Sequence, residues 1–183
     1  MVRPRDLIVH GISRMHLQRL LERGLIERLN RGIYAVSDTD ITEYHSLATT
    51  AKRVPNGVVC LLSALRFHSL TTENPHDIWM SIRENARLPK AHEQGVRFIR
   101  FSQVTFQYGV DMHVIEGVQV PIYNPAKTVA DCFKYRSTVG LDVALEALKD
   151  CLKQKKATVD ELWQAAKVCR VANVMRPYME SLV

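Results

Sequence analysis

The chain has 183 residues, 46% hydrophobic and 24% charged. These are the proportions of a globular protein that buries its own core without disulfides or metals, which excludes a disordered chain. The absence of an apolar run of about 18 residues and of a basic-then-apolar leader predicts neither a membrane span nor a secretion signal. The formal net charge is +6 and the pI about 9.3, a balance that favours an anionic partner only weakly.

The distribution of charge is more informative. Residues 1–36 hold seven arginines (Arg3, Arg5, Arg14, Arg19, Arg23, Arg28, Arg31) against Asp6, Glu22 and Glu27, a net of +4. No lysine is among them. Arginine presents a flat fork of donors suited to phosphate and guanine. Cys60, Cys132, Cys151 and Cys169 are widely spaced with no CxxC pair. That predicts buried thiols in a reducing cytoplasm, neither a zinc ribbon nor a disulfide scaffold.

In chain order, Pro4 suits the first turn of a short helix ending near His10, with Gly11 as its stop. Ser13 caps a second helix over residues 14–23, stopped by Gly24. Leu17, Leu20 and Leu21 share one face of it. Met15, Gln18, Arg19 and Glu22 take the other, flanked by His16 and Arg23. The runs 25–29 and 33–36 around Asn30-Arg31-Gly32 make a β-hairpin. Helix, turn, helix, hairpin is the order of a winged helix-turn-helix.

Residues 37–43 are polar and linker-like, and Asp40 with Glu43 forms a capping-box pattern for a helix running to Arg53. The run 58–62 reads as a strand, and Ser63 as the cap of a helix through His68. Strands are predicted at 77–82, 96–101, 110–115 and 118–123, the last two joined at Glu116-Gly117. Helices follow: one opened by Asn124-Pro125, one over 142–153, one capped by Thr158 and Glu161, and a short one over 177–182. The expected fold class is α+β: an N-terminal winged helix-turn-helix at 1–36, then a mixed α+β domain at 40–183 with an antiparallel sheet and C-terminal helices.

The winged helix predicts a DNA-binding face. The 14–23 helix would lie in the major groove, with Arg19 reading guanine and Gln18 adenine. Ser13 and Arg14 would hold phosphate near the helix start, and Met15 would touch a thymine methyl. His16 and Arg23 flank this face, and Arg28, Asn30 and Arg31 on the wing would meet backbone or minor groove. The same features also fit a protein-contact module whose arginines are solvated charges. Catalytic signals are thin: there is no HExxH, glycine-rich phosphate loop or GxSxG elbow around Ser63. No catalytic or metal-binding residue is assigned, no cofactor is expected, and the chain is not expected to be an enzyme. Lys127 and Asp131 read as a surface i,i+4 ion pair rather than a catalytic pair. His68 reads as a packed core histidine, His113 as exposed, and Trp79 and Trp163 as core. Lys149, Lys153, Lys155 and Lys156 read as a solvated helix end.

Three ordered runs also carry a resemblance. GISRMHLQRLLERGLIERLNRGIYAV, VVCLLSALRFHSLTTENPHDIWMSI and VPIYNPAKTVADCFKYRSTVGLDVALEAL resemble successive blocks of the AbiEi antitoxins, winged-helix regulators of type IV abortive-infection toxin–antitoxin systems. The resemblance implies a cytoplasmic phage-defence protein that represses its own operon. It would bind inverted repeats in double-stranded DNA as a dimer or by cooperative assembly. It would also oppose a nucleotidyltransferase-like toxin without needing a direct complex. Family members usually carry one more helix before the segment that begins here at Arg3. Its absence would leave Leu7, Ile8 and Leu20 short of cover. The alternative is an interaction module that neutralises a partner by contact, with little or no DNA binding.

Overall fold

The structure is a computed structural model that describes residues 3, 7, 12–30, 32–36, 42–88 and 95–182, with residues 14, 29, 30, 35 and 36 described by backbone alone. The architecture is mixed α+β, with a two-stranded hairpin followed by a five-stranded sheet packed between helices.

The predicted short helix before Gly11 lies almost wholly outside the described residues. Leu7 is helical: its N–H donates to the Arg3 carbonyl at 3.2 Å, and its own carbonyl accepts from Ile12 N–H at 3.0 Å. Helix α1 spans Arg14–Glu22, with the Ser13 side chain accepting from His16 N–H at its start. Gly24, at φ +68, turns the chain out of the helix. Strands β1 (Ile26–Asn30) and β2 (Ile33–Val36) pair antiparallel, with an irregularity between Arg28 and Asn30. Leu17 and Ile33 are buried here, outside the two large core clusters of the remaining chain.

Helix α2 (His45–Arg53) begins at Tyr44 with no side-chain cap. The predicted Asp40–Glu43 box therefore does not cap it, and Asp40 lies outside the described residues. A tether to the sheet does the local work instead. Glu116 accepts from Thr42 N–H and from the Thr42 hydroxyl, and pairs with His45 at 2.9 Å.

The run expected as strand 58–62 divides. Strand β3 is only Val58–Val59, and helix α3 (Leu61–Phe67) starts two residues later. A continuous apolar run suits a buried strand and a buried helix equally. Ser63 does not cap this helix: it lies inside α3, and its hydroxyl accepts from Trp79 N–H at 2.9 Å. β4 (Ile78–Arg83), β5 (Val96–Phe101), helix α4 (Gln103–Gln107), β6 (Val110–Ile115) and β7 (Val118–Tyr123) follow. The strand order is β5-β4-β3-β7-β6. β3–β4 and β6–β7 are antiparallel, while β4–β5 and β3–β7 are parallel, so the sheet is mixed rather than antiparallel.

Helix α5 (Pro125–Lys134) opens with Asn124 accepting from Lys127 N–H at 2.9 Å and proline at the first position. Helices α6 (Arg136–Val139), α7 (Leu141–Lys153), α8 (Val159–Val168) and α9 (Ala172–Leu182) complete the chain. The Thr158–Glu161 capping box is present at α8. α9 starts five residues before the predicted 177–182 helix and carries Pro177 inside it. Proline there removes one N–H donor, four residues beyond the exposed Asn173.

One face of the sheet is covered by α2, with Leu47, Ala48, Val59, Met80, Val120 and Ile122 buried together. The other is covered by α3 and the C-terminal helices, with Trp79, Phe101, Tyr123, Phe133, Leu148 and Leu162 in one cluster. Trp163 is half-buried against that cluster. Among the described residues, no helix is long and apolar enough to cross a membrane.

Candidate nucleic-acid interface

The N-terminal face is built by α1 and its hairpin. Leu17 turns inward, at 6% exposure, and Leu20 and Leu21 are half-buried. This leaves Met15, His16, Gln18, Arg19, Glu22 and Arg23 exposed along the rest of the helix, with Met15 at 66%. Ser13, also exposed, already caps the helix through its own side chain. Arg28 is exposed on β1, and the strand register sets it across from Tyr34. Tyr34 is a further ring on this face that the sequence reading passed over. Its place opposite Arg28 is set by the strand register, which is irregular between Arg28 and Asn30. Arg31, and the side chains of Arg14 and Asn30, lie outside what the structure describes. The structure thus brings Met15, His16, Gln18, Arg19 and Arg23 onto one helix and Arg28 onto the adjoining hairpin. Chemically, this is a row of donors and a thioether with no buried charge to satisfy.

The other polar concentration is in the core. Lys127 and Asp131 are both fully buried and form a side-chain hydrogen bond one helical turn apart. This corrects the expected surface pair. Every residue from 126 to 133 of α5 is buried, because helices surround α5 on its outer side as the sheet does on its inner side. The Lys127 ammonium lies 4.1 Å from the centre of the Tyr123 ring and 4.5 Å from that of Phe101, a placement that stabilises a desolvated cation. Cys169 Sγ donates to the other Asp131 oxygen at 3.3 Å. Burial raises the Asp131 carboxyl above the usual range, against the lowering effect of Lys127. Tyr123 OH donates to the Phe106 carbonyl at 2.9 Å and accepts from Ser81 at 3.0 Å. These donors and acceptors satisfy one another, so the cluster reads as an internal polar lock.

All four cysteines are buried and free. Burial pushes the Cys151 thiol up to about 11 and Cys169 to about 12, so both stay protonated and unreactive near neutrality. His68 ends α3 half-buried, with a ring nitrogen 2.7 Å from the Tyr123 carbonyl, and burial lowers its pKa. His113 is half-buried rather than exposed. Its ring meets Phe67 edge-on at 4.7 Å, because His113 lies opposite Val120 on the α2-covered face of the sheet, where Phe67 at the end of α3 also packs. Lys149, Lys153, Lys155 and Lys156 are exposed, and Lys156 donates to the His68 carbonyl. Among the described residues, no three His, Cys, Asp or Glu side chains gather where they would hold a metal ion.

Comparison with known proteins bears on the N-terminal face. Residues 1–37 match a family of regulators. Its description is "Transcriptional regulator, AbiEi antitoxin". No protein of curated function matches the sequence. The fold is similar to the crystal structure of the RV2827C protein from Mycobacterium tuberculosis, with a TM-score of 0.58 and 15% identity over 99% of this chain and 74% of that one. That likeness extends the fold over the whole chain. The similarity to an antitoxin-type regulator is carried by the segment that holds α1 and the hairpin.

Proposed function

We propose that the chain is a DNA-binding transcriptional regulator that reads DNA with α1 in the major groove and the β1–β2 hairpin as the wing of a winged helix-turn-helix. The observation that carries this is the capped helix whose uncovered face presents Gln18 and Arg19, with Arg28 exposed on the hairpin that follows. The family match over the same residues supports it. Arg19 reads guanine, Gln18 reads adenine, and Ser13, Arg23 and Arg28 hold the backbone. Within this reading the chain represses its own operon from inverted repeats. It also acts as the antitoxin opposing a nucleotidyltransferase-like toxin, with residues 40–183 as the regulatory domain. It carries out no catalysis.

A direct protein-contact role is the second reading. It is favoured by Met15 and Leu25, exposed at 66% and 53% on the same segment. Competition between DNA from upstream of the gene and a shuffled duplex separates the two. Arg19→Ala is expected to lose roughly 5- to 150-fold on the upstream DNA and little on the shuffled one, the cost of one bidentate base contact. Arg28→Ala is expected to weaken both about equally. Equal affinity of wild type and Arg19→Ala for the upstream DNA would overturn the assignment of α1 as the reading helix.

A further inference from the structure

The two edges of the five-stranded sheet differ in how they meet solvent. On β5, Arg97 stacks over Trp79 at 4.2 Å, and Arg100 donates to the carbonyls of Glu84 and Ala86. Charged side chains of this kind blunt an edge against further pairing. On β6, Met112 and Val114 are exposed at 58% and 67%, on the same strand face as half-buried Val110. The helices on that side cover the Tyr123 end of the β6–β7 ladder and leave the turn end bare.

The ladder fixes which backbone groups of β6 point outward. Ile115 and Val118 close a two-residue turn in which Glu116 and Gly117 have φ of +50 and +71. The closing pair of such a hairpin is hydrogen-bonded, and bonded pairs alternate along the strand. Asn124 N–H donates to the Gly109 carbonyl at 2.7 Å, in the same phase. Residues 109, 111, 113 and 115 therefore face β7, and the N–H and C=O of Val110, Met112 and Val114 face away from the sheet.

We propose that β6 pairs antiparallel with β6 of a second copy of this chain about a two-fold axis at Met112, joining two five-stranded sheets into one. This register bonds Val110 to Val114 of the second copy and Met112 to itself, and merges the two apolar strips. On the opposite face it sets Asp111 directly across from His113 of the second copy, in the closer, non-bonded type of pair. Asp111 is exposed and His113 half-buried, so a carboxylate is set beside an imidazole and not beside a like group. The two neighbouring registers compatible with the outward groups are poorer. Centring on His113 opposes two imidazoles and sets Asp111 against Ile115. Centring on the Asp111 position opposes two carboxylates. A six-residue strand makes a small interface, so the dimer is weak and concentration-dependent. The inference rests on the sheet and not on DNA binding.

The test is cysteine crosslinking of the full chain without DNA, in which the buried native thiols give little background. Across the axis, Met112→Cys brings two Cα atoms to about 5.5 Å, within disulfide reach. Val114→Cys leaves them about 14 Å apart, four residues along the strand. Under mild oxidation Met112→Cys is expected to give a covalent dimer and Val114→Cys to give none. Val114→Lys in the native background is expected to abolish the concentration-dependent rise in mass seen by sedimentation. Its unfolding midpoint should not change, since the side chain it replaces is largely exposed. Crosslinking at 114 equal to that at 112, or no covalent dimer from Met112→Cys at any protein concentration, overturns the proposal.

Discussion

Lys127 and Asp131 show how much a single residue's surroundings change its meaning. A lysine and an aspartate four apart on a helix usually exchange a few tenths of a kcal/mol in water. Here both are fully buried, and removing one partner strands a charge in the core. Lys127→Met is expected to destabilise the fold by about 3–5 kcal/mol in urea unfolding, and Lys127→Met/Asp131→Leu to recover most of that loss. Burial already raises the Asp131 pKa, so the single variant should be most stable at acid pH. The sign follows from linkage: a folded pKa above the unfolded one gives stability that is present below the unfolded value and lost as pH rises through the folded one. Equal losses in single and double variants would contradict the account. Gly109 makes a similar point. At φ +69, a Cβ added there would lie 2.8 Å from Lys127 Cβ. Gly109→Ala is expected to cost about 2 kcal/mol or more, from backbone strain and overpacking together. The sequence showed the spacing of Lys127 and Asp131 but not their burial, because α5 is enclosed by elements that converge on it from distant parts of the chain.

At the scale of elements, legibility followed local chemistry. β5, β6 and β7 match the predicted bounds, and the caps at Ser13, Asn124 and Thr158 are present, because alternation, turn residues and caps act within a few positions. α3 was not legible from Ser63, whose hydroxyl serves β4 instead, nor α9 from Pro177, which lies on the exposed side of a helix that buries Met175 and Met179. The N-terminal helix and hairpin were legible, and so was the exposed face of α1. The partnership of Tyr34 with Arg28 needed the strand register. Thr158→Ala is expected to lower stability by about 1 kcal/mol, read by thermal or urea unfolding. The Glu116 tether should depend on acid. Burial acts to raise its carboxyl, but the Thr42 N–H, the His45 ring and the Thr42 hydroxyl hold it below its ordinary value of 4.5. A depressed folded pKa means the contribution is full above the ordinary value and is lost as pH falls through the folded one. Amide exchange at Thr42 is expected to accelerate in that acid window, once corrected for intrinsic rate, and Glu116→Gln to flatten the change.

At the scale of the whole molecule, charge and fold are divided. Residues 1–36 hold a net +4 of the chain's +6, and the sheet and its helices hold the large core. In the proposed function the first part meets DNA and the second carries regulation, so the electrostatic signature should belong to the first. The most direct measurement is the affinity of the intact protein for DNA upstream of its own gene across a series of salt concentrations, alongside a variant with Arg19, Arg23 and Arg28 changed to alanine. Each phosphate neutralised contributes a slope of about −0.9 in log affinity against log salt. The account predicts a slope of about −3 or steeper for the wild type and a clearly shallower one for the variant. A flat salt dependence, or the same slope in both proteins with the fold intact, would contradict it and leave direct protein contact as the role of this face.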